Sequence, residues 1–134
     1  MKILEKSLQI AQSFRNASQE RFFHVCFIYD KQRLLSIGFN NTQKENSKVR
    51  RLGKHFRVKR MVDWSFPHAE TAAIDKLYGK QMITNSEKVV VLRLGRRGQL
   101  LQSKPCAACS SMLKALGFAN VYYSVNDNIV EGEL

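Results

Sequence analysis

Two short clusters carry residue types that bind metals and move protons: His68-Ala69-Glu70, and Pro105-Cys106-Ala107-Ala108-Cys109. They read H-x-E, then a spacer, then P-C-x-x-C. Zinc is satisfied by imidazole nitrogen and thiolate sulfur in a tetrahedron, and a catalytic site uses three protein ligands so that a fourth position stays open. His68, Cys106 and Cys109 supply three such ligands. Glu70 is suited to carrying protons to and from a water in the open position. A structural zinc site would ask for a fourth protein ligand. His55 is the nearest spare candidate, but it sits in a basic segment and would leave Glu70 without a task.

The two halves lie nearly forty residues apart, so the fold must bring them together. Residues 1 to about 19 place Leu4, Leu8, Ala11 and Phe14 at helical spacing, the stripe of an amphipathic helix on one face of a sheet. Arg21 to Asp30 is aromatic and β-branched on both alternating faces, as in a strand buried on both sides, with His24 and Cys26 read as packed strand residues. A short reversal leads to Arg33–Phe39, predicting an antiparallel hairpin. Pro67 opens a helix over His68–Tyr78, with Gly79 as its C-cap. Lys88–Leu94 is an interior strand broken by Gly95-Arg96-Arg97-Gly98.

Ser103 is expected to cap a further helix that ends at Gly117 and holds Cys106 and Cys109 on one face of its first turn. Asn120–Val125 is a strand, and Ile129–Leu134 returns beside it after a short turn, necessarily antiparallel. This order predicts an α/β fold of three layers, α-β-α, around a mixed sheet of four to five strands. Both metal-site helices then start at one edge of the sheet, where ligand sites in open α/β sheets collect. Their positive ends favour thiolate over thiol.

At 134 residues the chain is expected to form a single domain, residues 1–134. It has no long apolar run, so no membrane span is expected, and the opening residues do not read as a secretory signal. Three cysteines with two in C-x-x-C suit a reducing, cytoplasmic setting. A net charge of +11 implies attraction to phosphate-bearing partners. Much of it lies between Lys44 and Arg60, a predicted loop, where Arg50, Arg51, Lys54 and Arg57 are candidate phosphate or nucleic-acid contacts. Trp64 and Phe66, just before His68, are either stacking or packing residues. Tyr122 and Tyr123 are expected to pack on the sheet.

The pair HAE and PCAAC, with the accompanying helix and strand order, resembles the zinc-dependent cytidine and deoxycytidylate deaminase superfamily. The resemblance implies one zinc ion per chain held by His68, Cys106 and Cys109, with Glu70 as proton shuttle. It also implies substrate contacts at Ala69 and at Asn40, the latter matching an asparagine that many members use to hold the sugar of the target nucleotide. The implied reaction is hydrolytic conversion of cytosine to uracil on a phosphate-bearing substrate, a cytidine or deoxycytidine nucleotide or single-stranded nucleic acid. Adenosine-to-inosine deamination in RNA and a non-catalytic zinc-containing nucleic-acid-binding module are the alternatives. The closing hairpin resembles the branch without a fourth helix between the last two strands, yet the typical free-cytidine enzymes of that branch have cysteine where this chain has His68. Many relatives assemble as homo-oligomers, so self-association is open.

Overall fold

The computed structural model describes residues 2–17, 23–40, 68–77 and 87–134. In chain order the elements are α1 (Lys2–Ala17), β1 (Phe23–Asp30), β2 (Arg33–Phe39), α2 (Ala69–Leu77), β3 (Glu87–Leu94), β4 (Leu100–Leu101), α3 (Ala107–Ala115), β5 (Asn120–Val125) and β6 (Asn128–Glu133). The strands form one sheet in the order β2-β1-β3-β5-β6, and β4 pairs with β3 off this path. β1 runs antiparallel to both its neighbours, while β3 and β5 are parallel. The sheet is mixed, as expected, with one short strand more than predicted. That strand escaped notice because the chain reverses at Gly95–Gln99, where Gly95 N–H donates to Gln99 O at 3.0 Å, and two leucines then pair back on Arg93 and Leu94.

Alternation along the two central strands divides the interior into two cores. Phe23, Val25, Phe27 and Tyr29 of β1 join Val90, Leu92 and Leu94 of β3 with Ile3 and Ala11 of α1. The opposite phase, Cys26, Ile28, Val89 and Val91, packs with Ala69, Ala73, Ile74 and Leu77 of α2 and Ala108, Met112 and Leu113 of α3. α1 therefore covers one face, and α2 and α3 cover the other, which gives the three layers. Both central strands are buried on both sides, which is why their sequences carry apolar residues in both phases.

The stripe of α1 is rotated from its predicted position. Its fully covered line is Ile3, Ser7, Ala11 and Arg15, while Phe14 is 45% exposed and meets Phe39 edge-on at 5.2 Å between centroids. Two polar residues take buried positions because each has a partner. Ser7 Oγ hydrogen-bonds Tyr29 Oη at 2.8 Å, and Arg15 Nε donates to Gly95 O at 2.9 Å. No helix among the described residues is long and apolar enough to cross a membrane.

At the other end of the chain the hairpin forms as predicted. β5 and β6 pair antiparallel, and Asn126 and Asp127 both have positive φ, 46° and 68°, the signature of a tight two-residue turn that suits the twist of the strands. Asp127 Oδ1 accepts from Leu100 N–H at 3.0 Å, and Asp127 N–H donates to Leu100 O at 3.1 Å. The hairpin tip thereby anchors the strand that leads into α3.

Candidate metal centre and active site

α2 is seated on β2 with unusual closeness. A Cβ added at Gly38 would run into the backbone of α2 at Ala69 and Ala73, so only glycine permits this approach. Ser36 Oγ donates to Ala73 O and Lys76 Nζ to Ile37 O, both at 2.7 Å. The start of the helix is closed by a reciprocal pair: His68 N–H donates to Thr71 Oγ1 at 3.0 Å, and that hydroxyl returns its proton to His68 O at 2.9 Å. His68 is the residue before the helix and not part of its first turn as predicted, while Glu70 lies within that turn.

The second half of the site corrects the expected cap. Ser103 does not start α3; its hydroxyl donates to Val91 O at 2.6 Å and accepts from Ser124 N–H at 2.7 Å. With that oxygen spent on β3 and β5, the helix begins at Ala107, and Cys106 is the capping residue itself. Its Sγ accepts from Cys109 N–H at 3.4 Å. α3 ends as predicted at Gly117, whose φ of 104° allows the closing bonds Gly117 N–H to Lys114 O and Phe118 N–H to Leu113 O, both 3.1 Å.

The two helix starts bring His68, Cys106 and Cys109 together, with their donor atoms all within 4.8 Å of one another. His68 Nδ1 lies 3.8 Å from Cys106 Sγ and 3.5 Å from Cys109 Sγ. A tetrahedral zinc ion spaces its sulfur and nitrogen donors about 3.6 Å apart, given Zn–S near ~2.3 Å and Zn–N near ~2.0 Å. The three donors therefore fit one zinc ion with a fourth position left over.

The same packing sets the protonation of the group. Cys106 is pushed down to about 4, first by the hydrogen bond from the Cys109 thiol and then by those from His68 and the Cys109 backbone, against its burial. Cys109 moves well above its ordinary value, because it is the donor to Cys106, because it is buried, and because Glu70 lies beside it. Glu70 is 5% exposed, and burial raises its carboxyl above the ordinary carboxylate value, opposed by its own backbone N–H and by His68. A buried carboxyl with a raised pKa, beside a thiol and an imidazole, is placed to take up and release a proton.

The remaining sequence-derived residues fare differently. Asn40 extends the pairing of β2 with β1: its N–H donates to His24 O at 3.2 Å, and its Oδ1 accepts from His24 N–H at 2.9 Å. Ala69 is fully buried in the core under α2. Arg50, Arg51, Lys54, His55, Arg57, Trp64, Phe66, Pro67 and Gly79 lie outside the described residues. Tyr122 and Tyr123 pack against opposite cores, as expected.

His24, read as a packed strand residue, lies part-buried in β1, on the face that carries Cys26 and Ile28. Burial, then the charge of Arg93, then that of His68, pushes its imidazole down to about 4.

Among solved structures, the dCMP deaminase of the cyanophage S-TIM5 in apo form matches with a TM-score of 0.58 at 18% identity, over 92% of this chain and 83% of that one. The same enzyme in complex with dCMP and dUMP matches at 0.57 and 19%, over 91% and 80%. The cytidine deaminase of Mycobacterium leprae matches at 0.52 and 17%, over 92% and 88%. At these identities the likeness is one of fold. No curated protein matches the sequence. The family model describing the cytidine and deoxycytidylate deaminase zinc-binding region matches residues 1–125. With that match spanning nearly all of the chain, and with His68, Cys106 and Cys109 spaced to hold one zinc ion, the chain belongs to the cytidine and deoxycytidylate deaminase family.

Proposed function

We propose that this chain, as one deaminase domain, hydrolyses the exocyclic amine of a cytosine base on a phosphate-bearing substrate, leaving uracil and ammonia. The observation that carries the reading is the convergence of one imidazole nitrogen, two cysteine sulfurs and a buried carboxyl at two adjacent helix starts. His68, Cys106 and Cys109 would hold a zinc ion, which would act as a Lewis acid and bring the pKa of a water toward neutrality. Glu70 would accept a proton from the attacking water and deliver protons to the ring nitrogen and to the departing amine. Burial raises its pKa above the ordinary carboxylate value, which makes it a better acceptor for that proton. His68 and Cys106, each preceding a helix, place the acceptor side of the reaction at two positive dipole ends.

The phosphate in this reading is supported by the net charge of +11 and by the Lys44–Arg60 segment, whose Arg50, Arg51, Lys54 and Arg57 are assigned to it. The cyanophage enzyme was solved with dCMP and dUMP, and dCMP is the first substrate to try here. The free thiols suit a reducing cytoplasm.

Ammonia release from dCMP, CMP, cytidine and a cytosine-containing single-stranded oligonucleotide tests both parts. Turnover is expected to fall by about 10²–10⁴ in Glu70→Gln, and release that survives this substitution rules the mechanism out. An oligonucleotide substrate is expected to bind more weakly as salt rises, whereas dCMP depends on salt only slightly.

A further inference from the structure

His24 lies beside the metal-ligand group yet has no part in holding it. On β1 the residues Cys26 and Ile28 belong to the core under α2 and α3, so His24, two positions before Cys26, stands on the same face. Its backbone is held on both polar groups by Asn40, whose N–H donates to His24 O at 3.2 Å and whose Oδ1 accepts from His24 N–H at 2.9 Å. Directly across the ladder is Arg93 of β3. These two residues lie side by side in the floor of the sheet, on the face that α2 and α3 cover. The ring atom Nε2 of His24 is shielded from solvent and meets no hydrogen-bond partner among the described residues. Buried polar atoms are nearly always paired, and exceptions collect where a ligand completes them.

We propose that His24 is a specificity-determining residue of the deamination site, donating a hydrogen bond from Nε2 to an oxygen of the sugar-phosphate part of the bound nucleotide. The assignment rests on the deaminase reading above. The amine end of the base must meet the metal group and Glu70, which leaves the oxygen-rich part of the nucleotide to the neighbouring floor. A neutral imidazole carries one ring N–H, and the guanidinium-bearing Arg93 stands directly across the ladder from it. The positive charge opposite it favours an oxygen acceptor over an amine. A phosphate oxygen and a sugar hydroxyl share this acceptor chemistry.

The test is calorimetric titration of dCMP, deoxycytidine and cytidine into the zinc-loaded Glu70→Gln protein, repeated with His24→Phe, His24→Ala and His24→Gln added. Loss of the bond is expected to weaken binding about tenfold in His24→Phe. The same loss is expected in His24→Ala, which cannot crowd the site, while His24→Gln retains an N–H donor and restores most of the affinity. A loss confined to dCMP identifies the phosphate as acceptor, and an equal loss for all three ligands identifies the sugar. Zinc content is expected to stay at one per chain in every variant. Binding within about twofold of the parent for all three ligands in both His24→Phe and His24→Ala overturns the assignment. Ligand binding that depends on His24 in a wild-type chain that releases no ammonia overturns the deaminase reading and leaves only the nucleotide contact at His24 standing; normal turnover with unchanged binding in the variants overturns the assignment and leaves the deaminase reading standing.

Discussion

Cys106 and Cys109 are chemically alike but are held at opposite ends of their titration. Cys106 accepts hydrogen bonds from the Cys109 thiol and backbone, and Cys109 is the donor, more deeply buried and next to Glu70. Near neutral pH the metal-free pair therefore carries about one thiol proton to be displaced by zinc, where two unperturbed thiols would carry nearly two. The sign follows directly: Cys109 must lose its proton, its pKa is raised, and apparent zinc affinity rises with pH. Between pH 7 and pH 8.5, where imidazoles are largely neutral, the expected slope is about tenfold per pH unit. Competition against a chelator across this range measures it, and a slope near a hundredfold per unit would mean that Cys106 is not the stable thiolate described. Cys106→Ser is expected to lose the zinc, because hydroxyl oxygen does not replace thiolate in such a set.

At the scale of elements, the position of the metal group is decided where α2 meets β2. Gly38→Ala must push the start of α2 away from the strand, since the new Cβ has only backbone to meet. The expected cost is about 1–3 kcal/mol of stability, with reduced zinc affinity, read by thermal melting and by chelator competition. A variant as stable and as zinc-avid as the parent would show that α2 tolerates displacement. Much of this arrangement was legible in the residues themselves. The helical stripe after His68, the apolar runs of β1 and β3, and Asn126-Asp127 before a short final strand each announce their element by a local pattern. The start of α3 was misplaced because a serine before a helix ordinarily caps it, and nothing local shows that Ser103 is bonded to Val91 and Ser124 instead. The surroundings of His24 were hidden for a similar reason. A histidine in a buried strand gains its meaning from Arg93 and Asn40, which only the strand pairing brings beside it. The rotation of α1 likewise depends on Tyr29 and Gly95 receiving Ser7 and Arg15.

For the molecule as a whole, the sheet separates two cores that have different duties. The one under α2 and α3 carries the metal ligands and Glu70, whereas the one under α1 holds none of them. β1 and β3 contribute to both, so neither can open without disrupting the entire interior. α1 is fastened to the sheet by its apolar line and the bonds of Ser7 and Arg15, and it can lift while the site layer stays closed. In hydrogen exchange, the amides of α1 are expected to open by a low-energy local route and those of β1 and β3 only with global unfolding. Ser7→Ala, which leaves the Tyr29 hydroxyl without its partner, is expected to speed exchange in α1 by about five- to tenfold, corresponding to about 1 kcal/mol, and to leave zinc affinity unchanged. Equal protection of α1 and β1 would mean the two cores open as one. If they open separately, the chain contains two layers with different tolerances to change: the α1 layer can accumulate substitutions, or be engineered to carry a fused module, at little risk to the chemistry on the far side of the sheet.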